Sequence, residues 1–96
     1  MELTVRDVPG ADRYEVRDGD RVLGLAAYQR QGDRVVFTHT EVDPDQEGNG
    51  VGSTLARGAL DDVRTRGLRA EPRCSFIRAW IERHPDYADL VDAPQG

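Results

Sequence analysis

One stretch limits the folds open to this chain more than any other: Asp43-Pro44-Asp45-Gln46-Glu47-Gly48-Asn49-Gly50-Val51-Gly52-Ser53-Thr54-Leu55. Before it stands Val35-Val36-Phe37-Thr38-His39-Thr40-Glu41-Val42, a run rich in β-branched residues. After it, Val51, Leu55, Ala59 and Val63, with Ala56 and Leu60 beside them, recur at the spacing of an apolar helical stripe. A strand therefore enters a glycine-rich loop that opens a helix. Glycines at 48, 50 and 52 let the backbone turn tightly and approach a ligand without β-carbons in the way. The helix offers its unpaired N–H groups and positive dipole end at the same point. Together these make an anion site, most often one for phosphate. The loop is neither a P-loop, since Ser53-Thr54 rather than Lys-Ser/Thr follows the last glycine, nor a dinucleotide fingerprint, since Ser53 stands where a third glycine or alanine is needed.

The remainder reads as a frame for that loop. Leu3–Val8 alternates apolar and polar residues as a half-buried strand, and Pro9-Gly10 ends it. Tyr14–Arg17 is a second strand, followed by the hairpin signal Asp18-Gly19-Asp20. Val22–Tyr28 is apolar enough for burial on both faces, and Arg34–Val42 forms the fourth strand of an antiparallel meander. The period of two places Val35, Phe37, His39 and Glu41 on one face of it and Val36, Thr38, Thr40 and Val42 on the other. Gly67 suits the end of the first helix, and Gly58 inside it marks a place where another backbone comes close. Leu68–Pro72 is a fifth strand, parallel to the fourth because a helical crossover joins them. Ser75 can cap a second helix carrying the pairs Phe76/Trp80 and Ile77/Ile81, with Phe76 and Trp80 read as core and His84-Pro85 as its stop. Asp86–Val91 forms one further short turn or helix. The fold class is α/β (α+β), with one domain over residues 1–91 and a frayed tail over 92–96.

Ninety-six residues support one modest core. A net charge of −5 argues against nucleic-acid binding, and no apolar run is long enough to span a membrane. A single cysteine and no visible signal peptide lead us to expect a cytoplasmic protein. Cys74 lies between Arg73 and the start of a helix, both of which favour thiolate. It is an acyl-accepting nucleophile, a proton donor or a small buried residue. His39 is a base or a strand-ordering histidine, and Glu41 an alternative base or an exposed carboxylate. No metal-ligand spacing is present.

Val42-x-Pro44, the Gly48-Asn49-Gly50-Val51-Gly52 loop and a helix with Leu55 together resemble the acetyl-CoA-binding motif of the GCN5-related N-acetyltransferase superfamily. Phe37-Thr38-His39-Thr40-Glu41-Val42, Pro72-x-Cys74-x-Phe76 and Ile81-x-x-His84-Pro85-x-Tyr87 extend the likeness to its small stand-alone members. The family has Gln or Arg where this chain has Glu47. The resemblance implies acetyl-CoA as co-substrate, an unidentified amine as acceptor, and splayed fourth and fifth strands. It implies backbone pairing of Val42 with the pantetheine arm, and pyrophosphate held by Gly48, Asn49, Gly50, Val51, Gly52 and Ser53. Many relatives carry a tyrosine acid where Trp80 stands, which leaves Cys74 or Tyr87 for that role. Arg57, Arg73 and Arg78 could reach the CoA phosphates, but surface solvation is the more ordinary account of any one of them. Alternatives are an acyl-CoA-binding module without turnover and a cysteine thioesterase.

Overall fold

In the computed structural model, which describes residues 2–46 and 48–91, five strands lie in their order along the chain. The expected tail over 92–96 and Glu47 fall outside the described residues. The strands are β1 (Leu3–Val8), β2 (Arg13–Asp18), β3 (Arg21–Gln31), β4 (Arg34–Val42) and β5 (Arg69–Pro72). β1 to β4 are antiparallel neighbours, and β5 runs parallel to β4. The crossover is helix α1 (Val51–Thr65). Helix α2 (Ser75–Arg83) follows β5, and a 3-10 segment, Pro85–Leu90, brings Val91 to a parallel bridge with Ala70. No helix among the described residues is long and apolar enough to cross a membrane.

Directly opposed residues of antiparallel strands point to the same face, so the register sorts the sheet into rows. Val5–Val16–Gly24–Val42 and Asp7–Tyr14–Ala26–Thr40 face one way. Arg6–Glu15–Leu25–Glu41 and Val8–Arg13–Ala27–His39 face the other. The buried residues of α1 and α2, among them Leu55, Leu60, Ile77 and Trp80, share one core with Tyr14, Val16, Ala26 and Phe37. Both helices thus lie on the first face. Among the described residues, no helix lies on the second.

Two bulges correct the simple alternation. Tyr28 opposes Phe37 and Ala27 opposes His39, so Thr38 is an extra residue in β4. A bulge reverses the parity of everything after it. Thr40 and Val42 therefore join Val35 and Phe37 on the helix side, while His39 and Glu41 turn to the opposite face. In β3, Leu23 is the extra residue opposite β2 and is buried, whereas Val22 is 40% exposed and Leu25 and Ala27 are half-buried. β3 is not buried on both faces, because no second helix layer covers it.

Helix ends follow their local chemistry. Gly67, at φ 69°, donates to Arg64 O and Leu68 N donates to Val63 O, the paired bonds that close α1. The N-cap of α2 is Cys74, not Ser75, and no side chain bonds there. What approaches Gly58 is the side chain of Val5 rather than backbone: a Cβ on Gly58 would stand 2.6 Å from Val5 Cβ.

Candidate active site

β4 and β5 pair only from Arg34 to Phe37 and from Arg69 to Pro72. The Phe37 carbonyl then accepts both Arg73 N–H (2.9 Å) and Cys74 N–H (3.0 Å). Pro72 has no N–H to extend the ladder, and at Cys74 the chain turns into α2. β4 continues alone to Val42, so no described strand pairs with this edge of residues 38–42. A side-chain contact spans the gap: Thr40 Oγ1 lies 3.2 Å from Cys74 Sγ.

The gap opens into a cavity of about 500 Å³ bounded by Thr40 and Val42, the loop at Gln46 and Gly48, the start of α1 from Gly50 to Ser53, and Phe76, Trp80, Arg83 and His84 of the α2 segment. Gly48 (φ 85°) and Gly50 (φ 77°) adopt the left-handed conformation that the loop needs. Gly50 caps α1 without a side-chain bond, and Thr54 N–H to Gly50 O (2.9 Å) begins the ladder. No side chain therefore caps the first turn at Val51, Gly52 and Ser53, and its N–H groups suit an anion. Gly52 is needed for a second reason. A Cβ there would meet Phe76 Cζ at 2.8 Å and Val42 Cγ2 at 3.4 Å.

The carboxylate at the start of the loop is diverted. Asp43 Oδ1 accepts Asp45 N–H (3.0 Å) and Oδ2 pairs with Arg21 (3.2 Å). No described residue bounding the cavity is acidic, and Arg83 carries a positive charge there. The cradle thus fits a pyrophosphate: Gly52 where a Cβ would meet Phe76, N–H groups at a helix start and no carboxylate among the described residues of the wall.

α2 is fastened to this start. Trp80 Nε1–H donates to Ser53 Oγ (2.9 Å), and the His84 ring stacks on Trp80 with centroids 3.8 Å apart. His84 Nδ1 lies 2.7 Å from Trp80 O, and a carbonyl can only accept, so Nδ1 carries the hydrogen and Nε2 is the acceptor in the neutral ring. His84 ends the helix as expected and also bounds the cavity.

The expected site residues fall into two groups. Val42, Gly48, Gly50, Val51, Gly52 and Ser53 bound the cavity. Asn49 is exposed and its side-chain amide donates to Gln46 Oε1 (3.2 Å). Cys74 is half-buried against Thr40 and is not itself among the residues bounding the cavity. His39 and Glu41 stand together on the helix-free face, with Nε2 to Oε1 3.2 Å and side chains 61% and 65% exposed. The structure does not join His39 to Cys74.

Among the other residues one expectation changes and the rest gain partners. Phe76 is 36% exposed at the cavity rather than in the core. Tyr87 OH donates to Asp61 (2.8 Å) and accepts from Arg57 (3.2 Å), so it faces α1, and desolvation followed by the Asp61 bond raises its pKa. Arg57 lies over Trp80 and Tyr87, Arg73 pairs with Glu71, and Arg78 reaches the Pro72 and Arg73 carbonyls. Arg83 is the arginine that bounds the cavity. Thr40, Phe76 and Arg83 were not singled out as site residues. Helical spacing puts Phe76, Trp80, Arg83 and His84 on one stripe, a signal available before the structure, whereas Thr40 was hidden by the bulge.

A sequence profile of the GCN5-related N-acetyl-transferase family matches residues 13–90. The chain is 37% identical to Protein NATD1 of Bos taurus over 67 residues, covering 69% of this chain and 58% of that protein. It is 36% identical to Protein NATD1 of Mus musculus over 75 residues, covering 76% and 68%. The match therefore spans less than two thirds of the bovine relative. Among solved structures, a GCN5-like protein from Staphylococcus aureus superposes with a TM-score of 0.72 at 21% identity, over 97% of this chain and 91% of that one. The ribosomal-protein-S18-alanine N-acetyltransferase of Escherichia coli superposes with a TM-score of 0.64 at 19% identity, over 75% and 50%. With the glycine loop, the parted strands and a profile match over most of its length, the chain belongs to the GCN5-related N-acetyltransferase family.

Proposed function

We propose that this protein transfers an acetyl group from acetyl-CoA to a primary amine. The observation that carries the reading is one cavity bounded by the first turn of α1, the open edge of β4 at Val42, and Thr40, whose hydroxyl touches Cys74. The N–H groups from Gly50 to Ser53 would hold the pyrophosphate. The edge of β4 up to Val42 offers backbone groups to the amides of the pantetheine arm. Thr40 and Cys74 would then lie near the thioester.

During transfer the amine nitrogen forms a C–N bond to the acetyl carbon as the C–S bond breaks. One proton leaves the nitrogen and one is taken up by the departing sulfur. His39 or Glu41, on the face from which an amine can arrive, accepts the first, and the Cys74 thiol supplies the second and recovers it from solvent. Cys74 contacts a hydroxyl and no histidine, which favours proton donation over an acyl-cysteine intermediate.

The test is calorimetric titration with acetyl-CoA, then intact mass after quenching and thiol release with and without an added amine. The expected result is binding, no stable acetyl adduct, and thiol release that depends on the amine. Cys74→Ala should slow release by roughly 100-fold with little change in binding. Failure to bind acetyl-CoA would overturn the proposal. Thiol release without amine would instead make the protein a thioesterase, and binding without turnover an acyl-CoA-binding module.

A further inference from the structure

The helix-free face has opposite charge on its two sides. On β2, Glu15 is 2% exposed and is held by bonds from Arg17 and Arg13, of which the Arg17 bond is the larger influence keeping its carboxyl below the usual range. The two guanidiniums remain partly exposed, and Arg6 stands exposed beside Glu15 on β1. On β4, His39 and Glu41 form the other wall. Register puts these walls in shared rows, Arg13–Ala27–His39 and Glu15–Leu25–Glu41, so only Ala27 and Leu25 of β3 lie between them. Two strand spacings separate the walls by about 10 Å.

Beside the β4 wall an open trough of about 590 Å³ is bordered by Val22, Leu25, Glu41 and Asp43. It reaches Thr40 and Val42, which also bound the nucleotide cavity on the helix side. The two hollows therefore share Thr40 and Val42 of β4.

We infer that this face binds the amino terminus of a polypeptide whose third residue is acidic, with its ammonium at His39/Glu41 and its carboxylate at Arg13, Arg17 and Arg6. This rests on the acetyl-transfer reading, which it supplies with an acceptor. Charge complementarity fixes both ends: a cation is favoured on β4 and an anion on β2. Spacing fixes the residue, because an extended chain advances about 3.4 Å per residue. Two residues plus a Glu side chain then span the gap. The open, shallow form of the face suits a chain segment better than an enclosed small molecule.

The test compares two dye-labelled peptides, Gly-Ala-Glu-Ala-Ala and Gly-Ala-Gln-Ala-Ala, by fluorescence anisotropy in the presence of CoA, so that binding is read without turnover. The Glu peptide should bind about five to ten times tighter. The preference should vanish in Arg13→Gln/Glu15→Gln/Arg17→Gln, which leaves no buried carboxylate unpaired, and shrink in Arg6→Gln, which alters only an exposed side chain. Equal binding of the two peptides, or a preference that survives the triple variant, would overturn the inference. With acetyl-CoA in place of CoA, arginine-dependent binding without acetylation of either peptide would sustain the face as a binding site and refute acetyl transfer instead.

Discussion

Gly58 and Gly52 are both glycines because a side chain crosses over them, but their substitutions should act differently. Over Gly58 lies Val5, whose Cβ, Cγ1 and Cγ2 would all stand within 2.9 Å of a new methyl group. Cβ is fixed to the strand backbone and cannot swing away. Gly58→Ala should therefore cost about 1–3 kcal/mol through overpacking, more than the gain of about 1 kcal/mol in helix propensity. Urea unfolding should show a lower midpoint, and an unchanged or higher one would refute this packing account. Over Gly52 lies the tip of Phe76, a ring more than a third exposed and free to move. Gly52→Ala should leave the melting temperature nearly unchanged while weakening acetyl-CoA binding by roughly tenfold, as the displaced ring and the new methyl group enter the cavity. Calorimetry beside a thermal melt separates the two effects.

At the scale of elements, what was legible in the sequence was whatever local chemistry decides. The glycine loop announced a strand-to-helix junction, the stripe from Val51 to Val63 announced α1, Gly67 its end, and Pro72 the end of β5. The bulges were not legible. A period of two carries no mark at Thr38 to show that one residue will be left unpaired, because a bulge is decided by what packs on each side. This is why His39 and Glu41 were expected on the face that Thr40 and Val42 occupy. The cofactor loop was thus readable residue by residue, while the wall opposite it, at Thr40, was not. Deleting Thr38 should remove the bulge without changing the faces, because His39 then follows Phe37 directly and stays on the face opposite to it. The expected outcome is acetyl-CoA affinity within about threefold of the unaltered chain in calorimetry, with strand content retained in circular dichroism. Loss of binding would show that the extra residue shapes the cleft itself, beyond setting the faces.

Across the whole molecule, a polar seam ties the meander to α1. Tyr14 OH donates to Asp62 (2.6 Å), Tyr28 OH donates to Asp7 (2.5 Å), and Arg66 bridges Asp7 and Asp62 at 3.2 and 3.0 Å. Both phenols are pushed well above the ordinary 10.0, first by desolvation and then by bonds to carboxylates that could not accept from a phenolate. A raised folded-state pKa means that the unfolded chain loses the proton first. The contribution is therefore complete below about pH 10 and is lost as the pH rises toward the folded values. Urea midpoints should fall between about pH 9 and about pH 11. The fall should be shallower in Tyr28→Phe, where Asp7 keeps Arg66. An equally steep fall in that variant would assign the alkaline transition to other groups.

The carbonyl of Phe37, where β4 and β5 part, also offers a spectroscopic handle. It accepts two N–H groups, from Arg73 and Cys74, whereas most carbonyls of the sheet accept one. A doubly bonded oxygen draws electron density from its C=O bond and lowers the stretching frequency. Carbon-13 at that one carbonyl would move its band clear of the rest of the amide absorption. Any ligand or substitution that prises the strands further apart should strip away one of the two donors and return the band toward higher frequency, so a single isotopic atom would report the opening of the cleft in solution.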